Sequence, residues 1–424
     1  MINISKHKSV LYFTLFLIIA SILGTRLITF DLGVVLSPLR IGLFLSPFFF
    51  ILAGNDKVKV WKKSKVFSFL LFWTVYSLLL IVFCQDLGEF FRHFFFLFTA
   101  LIISYFASFY LTEEKDFKFI LICSELIAIL FSAIGIYEII TGDYRFISDD
   151  ALGHYQNNSA DFSTLGIRVP TGSFANPNDF GFFLLFAFCI SISLTNLKES
   201  QIGRWLSRIA VALFFFMIVS TQSRAAFVSL LMGMVVIVLL GFHRMKRSTR
   251  ILLIAGAVVS ISYVTSWLIA NKELYEALLE IDVSSSADGS DKTRMTLISK
   301  GLDIASNYLF FGTGLGQIEY HMSKMAGMST YGITNVHNWW IEVFVSSGFI
   351  VFFYYLKLYI ESFFNFVKKA LSSHTSTRGA TYARLGASML AVFFVGCMSS
   401  SSIFCIEWIW AMFIYWMLLP RIIK

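Results

Sequence analysis

The sequence predicts an all-α polytopic membrane protein, and three observations carry that prediction. The 424 residues are 57% hydrophobic and only 14% charged, against about 45–50% and about 25% in soluble domains. The apolar residues fall in continuous runs of spanning length, not in alternating segments of about ten residues, which favours helices over a β-barrel. Basic residues gather in every second connection between those runs, the pattern that orients membrane helices. The apolar excess excludes a soluble enzyme, a disordered chain and a small disulfide scaffold. The formal charge of +8 does not point to nucleic acid, because such binders cluster Lys and Arg along one soluble face.

Taken in order, the apolar runs cover residues 10–24, 32–53, 66–83, 90–110, 118–140, 176–196, 205–220, 224–242, 251–270, 336–357, 383–399 and 402–419. A helix needs about 20 apolar residues to cross a bilayer, so about twelve spans are expected. The first run lacks a small-residue cleavage site and reads as a retained helix. Lys6 and Lys8 precede it, and Lys57, Lys59, Lys62, Lys63 and Lys65 follow the second run. Lys198, Arg204 and Arg208 follow the sixth, and Arg244, Lys246, Arg247 and Arg250 the eighth. Lys368, Lys369, Arg378 and Arg384 follow the tenth, and Arg421 and Lys424 follow the last. Only the connection at 112–118 is mixed. Twelve spans with both termini cytoplasmic satisfy this pattern.

That topology makes the chain one integral membrane domain, 1–424, with two long extracytoplasmic connections at 141–175 and 271–335. The second carries Glu273, Glu276, Glu280, Asp282, Asp288, Asp291, Asp303 and Glu319. Its stretch 282–290 (DVSSSADGS) reads as a linker. Residues 293–308 have apolar groups near helical spacing and are expected on the membrane surface or over a cavity. The five cysteines show no CxxC pair or His cluster and read as small apolar residues, not as metal ligands or a disulfide framework.

Polar groups gather at the outer ends of the spans, where ionisable residues usually line an aqueous cavity. The stretch 168–179 (RVPTGSFANPND) opens the sixth run. Pro177 favours a turn there, Asn178 suits a helix cap, and Arg168 is placed to bind an anion or simply to sit in a re-entrant turn. Residues 221–224 (TQSR) join two runs with almost no loop. Arg224 is therefore either a two-pronged phosphate ligand or a snorkelling arginine. Arg294 precedes the glycine-rich stretch 312–316 (GTGLG), which lacks the P-loop lysine and reads as a compact turn. Residues 335–342 (NVHNWWIE) open the tenth run. His337 suits proton transfer near neutrality, with Asn338 beside it. Trp339 and Trp340 are either interfacial belt residues or platforms for a sugar ring. Glu342, five residues on, is expected on the side of His337. Arg40, Arg92, His93 and Glu407 are further ionisable groups within or at the ends of spans, without an assignable partner.

Four motifs in this order, with a large outer loop between the third and fourth, resemble the O-antigen ligase and O-antigen polymerase superfamily of bacterial envelope glycosyltransferases. They are 172–179 (GSFANPND), 221–224 (TQSR), Thr293–Arg294 leading to 312–316, and 336–342 (VHNWWIE) followed by Gly348. The resemblance covers 166–355 well and the flanks only by topology. It implies a GT-C-like, lipid-carrier glycosyltransferase working on undecaprenyl-diphosphate-linked glycans at the outer face of the bacterial plasma membrane. Carried over, Arg224 and Arg294 bind diphosphate, Arg168 assists, and His337 accepts a proton. Asn178, Asn338, Trp339, Trp340 and Glu342 then shape the substrate and acceptor sites. No metal and no cofactor are implied, since arginines stand where a metal would. A flippase and a chain-length regulator are the expected partners besides the bilayer. The Asn-Pro-Asn-Asp and His-Asn-Trp-Trp stretches look closer to polymerases of teichuronic-acid and capsular type. An O-antigen ligase acting on lipid A–core is the alternative. A twelve-helix transporter is the alternative class, disfavoured because no internal repeat is visible and the polar groups lie at one face.

Overall fold

A computed structural model of the chain describes residues 2–24, 30–31, 35–53, 64–144, 167–174, 176–245, 247–248, 250–251, 289–325, 334–398, 400 and 403–424. Residues 252–270 of the expected run 251–270, residues 282–288 of the expected linker 282–290, and most of the first long connection lie outside the described residues. The described helices are α1 Ile2–Leu23, α2 Pro38–Leu52, α3 Lys65–Leu79, α4 Leu87–Tyr110, α5 Glu114–Thr141, α6 Pro177–Leu197, α7 Gln201–Ser220, α8 Arg224–Gly241, α9 Gly289–Asn307, α10 Gln317–Met325, α11 Trp339–Leu371, α12 Thr377–Gly396 and α13 Glu407–Leu418. A pair of two-residue strands, β1 Phe30–Asp31 and β2 Val35–Leu36, precedes α2. Among the described residues, nine helices are long and apolar enough to cross a membrane. The fold is that of an all-helical polytopic membrane protein.

Helix starts follow from short polar side chains. Ser37, Ser64, Asp86, Asn176, Ser200, Ser223, Asn338 and Ser376 each accept a hydrogen bond from a backbone N–H of the first turn. These are the residue types that satisfy the unpaired donors of a helix N-terminus. Several boundaries differ from the hydropathy reading, and three have a clear local cause. α2 begins late because Pro38 occupies its first position behind the Ser37 cap. α11 runs to Leu371, far past residue 357, because Lys357 and Glu361 pair along one exposed face at 3.8 Å and do not interrupt the helix. α13 is shorter than the run 402–419, since residues 403–405 and 419–421 form separate 3-10 turns.

Short turns make consecutive helices antiparallel, and they sort the charges. The turns after α4, α6 and α11 come together at one end of the molecule. There Lys198 pairs with Glu125 at 2.5 Å, and Arg378 reaches Glu199 at 3.2 Å. Arg244 donates to the carbonyls of Ser372 and Thr375, and Arg421 to that of Ser108. Among the described residues, the turns after α4, α6, α8 and α11 and the C-terminal end, which the sequence marks as cytoplasmic, thus share one basic end. The helix starts of α4, α6, α8, α11 and α13 lie at the other.

The core between the two ends is aromatic. Trp73, Trp339, Trp408, Trp416, Tyr355 and Tyr415 are almost wholly buried. Trp339 contacts the rings of Trp73, Tyr355, Phe404 and Trp410, mostly in edge-on or tilted geometries that aromatic quadrupoles favour. α12 presents Ala380, Ala383, Ala387 and Ala391 and packs against α6, α8 and α11. Small residues are what let membrane helices approach closely. A smaller apolar cluster joins Leu297, Ile304, Ile318, Met322 and Val345. It docks the loop helices α9 and α10 over the start of α11. The expected helix at 293–308 is therefore present, packed on the bundle.

Candidate functional site

The site region is built where the two long connections return to the bundle. Glu138, fully buried in α5, accepts N–H groups from Thr171 at 2.6 Å and Gly172 at 2.9 Å, and the Thr171 hydroxyl at 3.1 Å. Gly172 and Ser173 have positive φ, 57° and 71°, so the chain turns sharply there before α6. Arg168 donates from Nη1 to the Ile139 and Ile140 carbonyls, where a cation also meets the negative end of the α5 dipole. That contact ties Arg168 to the end of α5. The cap of α6 is Asn176, whose Oδ1 accepts from the Asp179 N–H at 2.9 Å. Asn178 therefore does not cap this helix; Pro177 holds the first helical position, which puts the cap two residues earlier than expected, at Asn176.

The glycine-rich stretch is a turn fitted against a break in α11. Gly348 has φ 75° and ψ 174°, which interrupts the helix. Backbone groups of the turn replace the lost helical hydrogen bonds. Thr313 N–H donates to Val345 O and Gly314 N–H to Ser346 O, both at 3.0 Å, while Phe349 N–H donates to Phe310 O at 2.9 Å. Irregular backbone at membrane depth needs such internal partners. Trp73 donates to the Ser347 hydroxyl at 2.8 Å and Tyr76 to the Phe311 carbonyl at 2.7 Å. Gln317, fully buried, then clamps the loop to the α3–α4 turn. Its Oε1 accepts from Gln85 and Asp86 N–H at 2.7 and 3.0 Å, and its Nε2 donates to Asp86 O at 2.8 Å.

That clamp sets Glu319 beside His93. The His93 ring donates from Nδ1 to the Glu89 carbonyl at 3.0 Å, and its Nε2 lies 3.5 Å from Glu319 Oε1. Glu342 joins them from α11, so that one ligand atom from each of the three lies within 4.8 Å of the others. The backbone of Ile403 and Phe404 lies beside the Glu342 carboxylate, and Cys405 lies beside His93. One imidazole and two carboxylates can hold a divalent cation; the same groups also close a buried charge cluster without one. Glu342 thus faces His93 and Glu319. The reason it departs from the side of His337 is that His337 is not on the helix.

His337 stands before the α11 cap with φ 46°, a left-handed conformation rare for a side-chain-bearing residue. Burial, and then the Arg294 guanidinium, hold its imidazolium form down, with a pKa of about 4. The Arg294 charge therefore acts on the His337 ring. Arg224 is exposed at the first residue of α8, at the same end of the bundle. Asn338 caps α11, accepting from Trp340 and Ile341 N–H at 3.0 and 3.3 Å. Trp339 and Trp340 are 2% and 8% exposed. The Trp339 backbone N–H donates to Cys397 O and the Trp340 indole to Phe394 O. Both indoles belong to the aromatic core that fixes His337, not to a sugar-facing wall.

Sequence reading missed Glu138, Gln317 and the role of Glu319. Glu319 stood out only as part of the acid excess of its loop, although His93 and Glu89 were already visible four residues apart on one helix.

Residues 209–356 match the family described as O-antigen ligase. That stretch contains Arg224, Arg294, the glycine-rich turn and His337; Arg168 and Asn178 lie before it. The chain is 23% identical over 301 residues to the teichuronic acid biosynthesis protein TuaE of Bacillus subtilis (strain 168). The alignment covers 69% of this chain but 59% of the relative, so it stops well short of that protein's full length. No solved structure matches.

Proposed function

We propose that this chain, a member of the O-antigen ligase and polymerase superfamily, polymerises undecaprenyl-diphosphate-linked oligosaccharide repeats into a surface polysaccharide. The reaction takes place at the outer face of the bacterial plasma membrane. The observation that carries this reading is His337, held in a strained turn and acted on by the Arg294 charge, at the end of the molecule opposite the basic one.

A glycosyl diphosphate already has a good leaving group. The enzyme must balance charge on that group and take a proton from the attacking hydroxyl. Arg294 and Arg224 balance the charge, aimed at the departing diphosphate. Arg168 assists at the margin, since its guanidinium already caps α5. His337 accepts the proton while the acceptor oxygen bonds the anomeric carbon and the bond to the diphosphate oxygen breaks. Direct attack inverts the anomeric centre. Its pKa of about 4 keeps the imidazole neutral and ready to accept at neutral pH. An arriving diphosphate offsets the Arg294 charge and raises the basicity of the ring when the proton must move. Metal has no assigned step in this scheme. A flippase delivering the lipid-linked repeat and a chain-length regulator are proposed partners.

A ligase is the second reading, favoured by the description of the matched family. Purified protein given one lipid-linked repeat unit separates the two. A ladder of products establishes the polymerase. Transfer only after a distinct acceptor is added establishes the ligase, and no transfer under either condition overturns both.

A further inference from the structure

A second feature at the same end of the bundle belongs to neither long loop. α2 and α4 leave between them a cavity of about 1200 Å³, larger than the ~300–1,000 Å³ of ordinary small-molecule sites. On α2 its wall runs from Arg40 through Phe44 and Pro47 to Phe50, and on α4 from Arg92 through Phe95 to Phe106. Both stripes follow helical spacing, and both begin with an arginine. From Arg92 to Phe106 the groove is about 21 Å long at 1.5 Å per residue. The Ser46 and Thr99 hydroxyls in the wall donate to carbonyls of their own helices, which leaves the surface between the two ends apolar. Phe67 and Tyr105 lie towards the far end. Cys405 lines the groove and also lies beside His93, which joins this groove to the His93–Glu319–Glu342 cluster.

We propose that this groove holds the isoprenoid tail of a lipid diphosphate, with the diphosphate at Arg40 and Arg92. The charge fits: two guanidiniums stand at one end, and a diphosphate offers oxygens for two-pronged contacts to each. Arg92 also pairs with Glu89 at 3.0 Å, but its side chain is 55% exposed, and an exposed pair yields readily to a stronger anion. The shape fits as well, being long, aromatic and open to a single branched chain. This inference rests on the proposed polymerase reading, which needs two lipid diphosphates at once. Arg224 and Arg294 serve one head group; Arg40 and Arg92 serve the other.

The test is binding without turnover. Purified wild-type protein in nanodiscs is exposed to a photo-reactive polyprenyl diphosphate, and the labelled peptides are mapped. Labels on α2 and α4 are expected, displaced by unlabelled undecaprenyl diphosphate and not by phosphatidylglycerol. Displacement by phosphatidylglycerol at equal concentration means an ordinary bilayer lipid and overturns the proposal, as does labelling confined to other helices. In the Arg40→Gln/Arg92→Gln protein, affinity for the diphosphate at this groove falls at least about tenfold, while labelling by an uncharged polyprenol persists. Unchanged diphosphate affinity overturns the head-group assignment. A groove that labels in a protein forming no polymer sinks the proposed reaction alone. Polymer formation without groove labelling sinks this inference alone.

Discussion

His337 holds a backbone conformation that costs of order 1–3 kcal/mol and persists only where surroundings enforce it. Here the enforcement comes from the next three residues: the Asn338 cap, and the buried Trp339 and Trp340. Replacing His337 with Ala should abolish polymer formation while the protein still accumulates in the membrane; normal polymer length and yield would refute its role as proton acceptor. The acid limb of activity should reflect its depressed pKa. A base that is protonated only near pH 4 stays competent as pH falls past the ordinary histidine value of about 6.5. In kcat/KM, which reports the free enzyme, activity should therefore be kept at pH 6 and lost towards pH 4–5, and a kcat/KM limb centred at 6.5 would assign the proton acceptor elsewhere. Arg224→Lys should be impaired, because an ammonium lacks the planar fork that grips phosphate. Unchanged turnover would reduce Arg224 to an anchor at the start of α8.

At the scale of elements, the fit of the glycine-rich turn into the break of α11 places the charged groups. Gly316 has φ 71°, and a Cβ there would lie 2.5 Å from the Glu89 carbonyl and 2.6 Å from His93 Nδ1. Gly316→Ala should lower stability by more than about 1 kcal/mol and part Glu319 from His93. A melting temperature equal to wild type in the same detergent would show that the clamp tolerates a side chain. The turn itself was legible from its glycines. Its partner was not, because Gly348 and the carbonyls of Val345 and Ser346 meet it only after α10 has folded back over the bundle. Lys357 and Glu361 show the opposite limit. The apolar run stops at 357, yet these two residues, one turn apart, simply share the exposed face of a longer helix.

At the scale of the molecule, the basic connections and the candidate site lie at opposite ends, and this predicts an orientation. In a protein whose five cysteines are replaced, a thiol at Met295→Cys on α9 should react with an impermeant maleimide in spheroplasts. A thiol at Glu199→Cys, at the basic end, should react only after lysis. The reverse pattern would invert the proposed topology and place the chemistry in the cytoplasm.

The sequence by itself determined the helical class and the sorting of charge into alternate connections. Each depends on local terms: apolar run length, and the cost of moving Lys and Arg across a bilayer. It also carried the motif order that resembles the O-antigen ligase and polymerase superfamily, and singled out His337 and Arg294. Only the tertiary structure decided which charges meet. Arg168 was committed to the end of α5, Glu342 to His93 and Glu319, and the paired tryptophans to the core. Such partners are far apart along the chain, and a buried ionisable group is satisfied by whatever packing brings within a few ångströms, which no local pattern encodes.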